Sequence, residues 1–199
     1  MKNKSFIITI AIVIIALSSI AQEKGTFTDA RDGKTYKTVK IGTQTWFAQN
    51  LAYKLDSGCF AYSNSINNLG IYGYLYSWNA AKIASPPGWH LPSVAEWQQL
   101  IDFLGGAGIA GNKLKEVGTT HWESLNTYAS DAMGFTALPG GCRDTDTKFK
   151  FFGIKGFWWS STQPNAFSAS YFFITNNGSF LTLDYCNKLK CYSVRCIKD

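Results

Sequence analysis

The chain has 199 residues, a formal net charge of +6 and only 16% charged residues, and its Lys and Arg are scattered. Phosphate backbones are bound by clustered basic side chains, so this balance excludes nucleic acid as the natural partner. Seven Trp, ten Tyr and fourteen Phe suit instead a compact secreted β-rich domain or a surface that stacks on sugars.

In chain order, Lys2 and Lys4 form a basic head, residues 6–17 are an apolar run broken only by Thr9, and Ser19 and Ala21 put small residues at the −3 and −1 positions of a cleavage site. This is the pattern of a secretory signal peptide, residues 1–21. The run of 12 residues falls short of the about 20 needed to cross a hydrocarbon layer about 30 Å thick. The expectation is a protein that is secreted, periplasmic or at the cell surface, with no stable membrane insertion after cleavage. No cysteine precedes Cys59, which removes a lipid anchor at the cleavage point. Without residues 1–21 the chain has 178 residues and a net charge of +4, the size of one ordinary domain.

Asp32-Gly33 signals a hairpin, and with the β-formers that follow it, residues 26–48 read as a strand pair closing on Trp46. Residues 58–68, rich in Ser, Asn and Gly around Tyr62, read as a long loop. Leu75, Trp78, Ala81 and Lys82, at spacings of three and four, predict a helix over 74–83. Ser93-Val94-Ala95-Glu96 is a capping box, followed by an apolar stripe of Trp97, Leu100, Ile101 and Leu104 and by Gly105 where the helix should stop. A Gly-rich stretch after Gly106 and a short helix around 113–117 lead to the turn Pro139-Gly140-Gly141. Strands are then expected over 149–152, 156–161, 171–175, 180–183 and 191–197, with a turn at Asn176-Asn177-Gly178. Trp158 and Trp159 read mostly as core, although alternation would turn one of them outward. The sum is one α+β domain, residues 22–199, with two main helices, antiparallel strands and long loops.

The cysteines are Cys59, Cys142, Cys186, Cys191 and Cys196. Their number is odd, so an exported chain leaves one thiol free or pairs it between molecules. Cys186 and Cys191 flank four residues; facing each other in a hairpin, they would meet the Cα separation of about 4.4 to 6.8 Å that a disulfide tolerates. They are the candidate staple. His90 and His121 have no Cys, Asp or Glu at ligand spacing, so no metal or cofactor is expected, and His90 reads as a hydrogen-bonded structural residue. Aromatic faces and polar groups on loops make the candidate ligand-binding set: Tyr62, Asn64, Asn67, Tyr72, Tyr74, Asp144, Asp146, Gln163 and Asn165. These are the parts a glycan or a protein surface needs.

Five ordered segments closely resemble the Fibrobacter succinogenes major paralogous domain: residues 32–46 (DGKTYKTVKIGTQTW), 88–97 (GWHLPSVAEW), 134–141 (GFTALPGG), 156–162 (GFWWSST) and 193–196 (SVRC). The resemblance spans nearly everything after residue 21. It implies an exported or surface protein like those of Bacteroidota and Fibrobacterota, in a family whose name carries no established activity. The helix start from Leu91 to Trp97 and the terminal Val194-Arg195-Cys196 also look like the C-type-lectin-like fold shared with formylglycine-generating enzymes, which implies that scaffold.

The same resemblance implies two disulfides that have each lost one end here. Ser85 stands where family members carry a cysteine that pairs with the one matching Cys196, and the partner of Cys59 would fall near Leu69. Gln163-Pro164-Asn165 resembles the triplets that carry calcium and sugar in C-type lectins, but it offers amides where calcium wants carboxylates. The expected function is a non-catalytic binding or adhesion module that contacts polysaccharide or a surface protein through its loops. The enzymatic alternative is a copper- and cysteine-dependent oxidase of the formylglycine-generating type, suggested by the spacing of Cys186 and Cys191. A third reading is a structural component of a cell-surface assembly.

Overall fold

The computed structural model describes residues 23–199, so the expected signal peptide lies outside the described residues. Lys24–Thr28 (β1), Thr35–Ile41 (β2) and Gln44–Phe47 (β3) form an antiparallel meander. Three strands stand where a pair was expected. The first is held by Phe27, whose ring packs 5.8 Å from Phe47 and 5.3 Å from Trp89.

The stretch read as a long loop is built from short pieces: Cys59–Phe60 (β4), two 3-10 turns at Tyr62–Asn64 and Ile66–Asn68, and the single helical turn Leu69–Tyr72 (α1). The helix expected over 74–83 divides into a strand, Leu75–Ser77 (β5), and a helix, Trp78–Ala84 (α2). Tyr76 is the reason. It lies opposite Cys59 on one side and Tyr192 on the other, and its hydroxyl donates to the Tyr53 carbonyl. A buried ring with a strand on each flank overrides the helical spacing.

Trp89–His90 (β6) leads into Val94–Phe103 (α3), which is capped as its sequence requires. Ser93 Oγ accepts from the Glu96 amide, and Glu96 Oε2 accepts from the Ser93 amide. At the other end the Gly105 amide donates to Asp102 O and the Gly106 amide to Ile101 O, the paired bonds of a Schellman end. Trp97, Leu100 and Ile101 form the buried stripe. The short helix expected around 113–117 stands earlier, at Ala107–Leu114 (α4), within the Gly-rich stretch, and ends at Lys115. A Cβ on Gly111 would sit 2.6 Å from Ser179 O and 2.8 Å from Phe180 O. Glycine there serves a close backbone approach, not a turn.

The remaining strands are Cys142–Arg143 (β7), Phe149–Lys150 (β8), Lys155–Trp159 (β9), Ser168–Thr175 (β10), Thr182–Asn187 (β11), Cys191–Tyr192 (β12) and Ile197–Lys198 (β13). The last strand is broken in two because residues 193–195 change neighbours. The Ser193 amide donates to Phe157 O, while the Val194 carbonyl accepts from Leu51. Strands assemble in the orders β1-β2-β3-β13-β6, β4-β5-β12-β7-β8 and β11-β10-β9. Ile197 opposite Trp46 brings the end of the chain beside its beginning.

Two apolar cores flank these sheets. Trp46 and Trp158 enter one, with Trp97, Phe135 and Phe172; Phe47 and Trp159 enter the other, with Tyr36, Trp89 and Tyr192. One Trp of the Trp158-Trp159 pair was expected to turn outward, yet both are fully buried. Successive side chains do point to opposite faces, but both faces of this strand are covered. The architecture is α+β with antiparallel sheets.

Candidate functional site

Three depressions share their walls. The first, 190 Å³, is lined by Lys34, Thr35, Gln49 and Ile71 among others. The second, also 190 Å³, shares Gln49, Gly70 and Ile71 with it and adds Lys37 and Thr136. The third, 320 Å³, shares Lys37, Ala48 and Thr136 with the second and ends at Lys24 and Asp131. Together they make a trough between the β1–β2 hairpin, the segment after β3, the α1 turn and the loop around Asp131.

The trough is held from below. The Lys37 amide donates to Gln49 Oε1 at 2.8 Å, which fixes the Gln49 side chain against β2. Beside it, Asn50 is buried and fully engaged. Its Nδ2 donates to Tyr72 O at 2.9 Å and to Ser193 Oγ at 3.3 Å. Its Oδ1 accepts from Trp158 Nε1 at 2.9 Å and from Arg195 Nε at 2.8 Å. Arg195 donates further to the carbonyls of Phe47, Phe135 and Thr136, and its guanidinium lies 4.4 Å from the Phe135 ring centre. Gly73, at φ +69°, closes the α1 side; a Cβ there would meet Leu51 O at 2.5 Å.

At the far end Asp131 and Thr136 both adopt positive φ, +42° and +52°. For a β-branched residue that is a strained conformation. It is held locally, because the Asp131 carboxylate accepts from the Thr136 amide at 2.8 Å and from its hydroxyl at 2.9 Å. Burial raises the Asp131 pKa, against the hydrogen bonds of Thr136 and the charges of Arg195 and Lys24. Lys24, Lys34 and Lys37 thus line the trough, Lys34 with its ammonium donating to Ala52 O at 2.8 Å, together with Gln49, threonines and the tethered carboxyl group of Asp131.

The residues singled out from sequence line none of the three depressions. The Tyr62 ring packs 5.1 Å from Phe149 and 4.5 Å from Phe152. Tyr72 is buried against Phe152 and His121, at 4.7 and 5.6 Å, and Tyr74 meets Tyr76 edge-on at 6.1 Å. Asn64 and Asn67 are exposed on the turns before α1. Asp144 is paired with Lys150 at 2.7 Å and Lys190 at 3.4 Å, and Asp146 with Lys150 at 3.3 Å. The Lys150 ammonium above all holds the Asp144 carboxyl down at about 2. Gln163 Oε1 and the Asn165 and Ala166 carbonyls all accept from Lys188 Nζ, at 2.5, 3.3 and 2.7 Å. An ammonium already fills the loop where the lectin resemblance would look for calcium.

The expected Cys186–Cys191 staple does not form, and all five cysteines are free. Cys186 lies opposite Ala169 in one sheet and Cys191 opposite Ser77 and Arg143 in another, because the two strands diverge after the turn. Burial pushes both thiols up to about 11. Cys196 Sγ sits 3.4 Å from Ser85 Oγ, which places together the two positions that the family resemblance pairs. His90 is hydrogen-bonded, but between carboxylates its local sequence did not reveal: Glu96 at 2.7 Å and Asp199 at 2.6 Å. Among the described residues no cluster of three or more His, Cys, Asp or Glu is arranged to hold a metal ion, and no helix is long and apolar enough to cross a membrane.

Sequence reasoning missed the trough because its residues come from four segments and form no motif. The one local signal is Gln49-Asn50, a polar pair directly after the apolar Trp46-Phe47-Ala48. Among family models, that described as the Fibrobacter succinogenes major domain matches residues 39–198. No curated protein and no solved structure matches the chain.

Proposed function

Since the chain belongs to the Fibrobacter succinogenes major domain family, we propose that it is an exported, non-catalytic binding or adhesion module whose contact surface is the trough, with an extended polysaccharide as ligand. The observation that carries the reading is the shared walls of the three depressions, which offer a chain-like ligand successive hydroxyl, amide and ammonium partners. Strained, locally tethered residues at one end, Asp131 and Thr136, add to it, since such strain clusters at ligand-contacting sites. A C-type-lectin-like scaffold is part of the same proposal. It is supported by the pairing of the last strand with β3 and by the capped helix α3 that follows Leu91-Pro92.

The test is retention on soluble polysaccharides, neutral (xylan, mannan) and uronate-rich (polygalacturonate), by the protein and by the double variant Lys37→Ala, Gln49→Ala. Lys37 is exposed, and Gln49 is half-buried with its Oε1 accepting from the Lys37 amide, so the melting temperature should fall by no more than about 4 °C. Retention of one class, lowered at least tenfold in the variant, is the expected result. Retention of none, or retention that ignores the variant, removes the trough as the site.

A further inference from the structure

Lys115 follows helix α4 and is fully buried. Its ammonium faces backbone oxygen almost entirely. Nζ donates to Thr127 O at 3.0 Å, Gly178 O at 2.9 Å, Asn176 O at 3.3 Å and Thr175 O at 3.4 Å. The Trp122 ring lies on a further side, its centre 5.8 Å away. No carboxylate forms a salt bridge with Lys115 among the described residues. A buried ammonium without a counter-ion is costly, and here carbonyl dipoles are what offset the lost hydration. Burial lowers its pKa to about 8, so at neutral pH the group remains charged.

Rings of carbonyl oxygens that replace a hydration shell are how proteins hold bare monovalent cations. The oxygens at 2.9 to 3.4 Å are too distant for calcium, which binds at about 2.3 to 2.6 Å. The four carbonyls come from two segments far apart in sequence, the loop at Thr127 and the β10–β11 turn at 175–178. Those segments also touch directly: the Thr127 amide donates to Asn176 O, and Asn176 Nδ2 to Ser124 O. We propose that these carbonyls form a monovalent-cation site of ammonium or potassium type, filled in this chain by the tethered ammonium of Lys115, and that the bound cation clamps the 124–128 loop to the 175–178 turn.

The experiment is thermal unfolding of Lys115→Ala and Lys115→Met in sodium, potassium, ammonium and choline chlorides at equal ionic strength. Lys115→Ala opens the site, and its melting temperature should fall on the order of 10 °C in sodium or choline chloride. Ammonium or potassium should restore about half of that fall. Lys115→Met fills the space with an apolar chain, so it should stay destabilised in every salt. Equal behaviour of Lys115→Ala in all four salts, or a Lys115→Met protein as stable as the native one, overturns the proposal. Should Lys115→Ala not fold, the native protein still decides it by the ¹⁵N resonance of the Lys115 side chain. A slowly exchanging ammonium at neutral pH supports the site, and a neutral amine there refutes it.

Discussion

Arg195 and Lys115 are both cations at 0% exposure, and they are accommodated in opposite ways. Arg195 sits where strands converge. Its planar fork reaches the Asn50 side chain and three carbonyls at once, stacks on Phe135, and has the Asp131 carboxylate as a nearby opposite charge. Lys115 sits where loops converge and is met by a cup of carbonyls. The guanidinium suits the first place because it donates in several fixed directions in one plane, and the ammonium suits the second because it is a compact point charge. The difference teaches where each cation acts: one joins the two cores through the sheets, while the other fixes irregular backbone at one end of the molecule.

Removing each charge in turn should have the largest effect. Arg195→Met leaves Asn50 Oδ1 and the Phe47, Phe135 and Thr136 carbonyls short of a buried donor. It should cost about 3 to 5 kcal/mol in denaturant unfolding, with protection from hydrogen exchange lost throughout β2, β3 and β9. Lys115→Met should cost less, and its loss of protection should concentrate at 124–128 and 175–178. If the two variants lose protection over the same residues, the division between a sheet cation and a loop cation is wrong.

The two cations also differ in how legible they were. Arg195 stands in the Ser-Val-Arg-Cys segment that resembles the family, so its importance was visible although its partners were not. Lys115 had no signal, because its acceptors are backbone carbonyls, which carry no residue identity. The capping box and apolar stripe of α3 were read correctly because all their determinants lie within a dozen residues. Helix α2 was misplaced at its start because Tyr76 answers to Tyr192 rather than to its own neighbours. Tyr62 and Tyr72, two of the tyrosines read as binding surface, pack against Phe149 and Phe152, an outcome that depends on β8 and the turn after it, far along the sequence. The trough was invisible for the same reason.

The Arg195 side of the molecule can also be stapled. Ser85 Oγ and Cys196 Sγ are 3.4 Å apart, across 111 residues of sequence. A disulfide needs about 2.05 Å between sulfurs, an adjustment of side chains and little more. Ser85→Cys should therefore bond to Cys196 and add about 3 kcal/mol in oxidising buffer, lost again on reduction. Burial pushes the Cys196 thiol up to about 12, so the bond should form during oxidative folding and hardly at all on late addition of oxidant. Exchange at 124–128 should not change, since the staple lies on the Arg195 side. Alkylation of both thiols in the oxidised, folded variant would show that the two side chains do not meet.

The smallest effect concerns a third cation, placed at the surface. Both ring nitrogens of His90 face carboxylates, Glu96 and Asp199, an arrangement that favours the doubly protonated imidazolium. Burial draws its pKa down, but the hydrogen bonds to Asp199 and Glu96 outweigh that and the net direction is up. A histidine whose pKa is raised by folding adds stability below its unfolded value, near 6.5, and loses that contribution as pH rises through the folded value. The difference in stability between the native protein and His90→Gln should be largest below about pH 6.5 and shrink as pH rises above it. Solvent reaches 41% of the side chain, which screens the pair and keeps the difference below about 1 kcal/mol. A difference that is flat across that range would mean the ring acts through shape alone. The buried cations predict the contrast: burial draws the Arg195 guanidinium down to about 9, above the range in which the His90 contribution is lost, so Arg195→Met should show no such fading up to about pH 8.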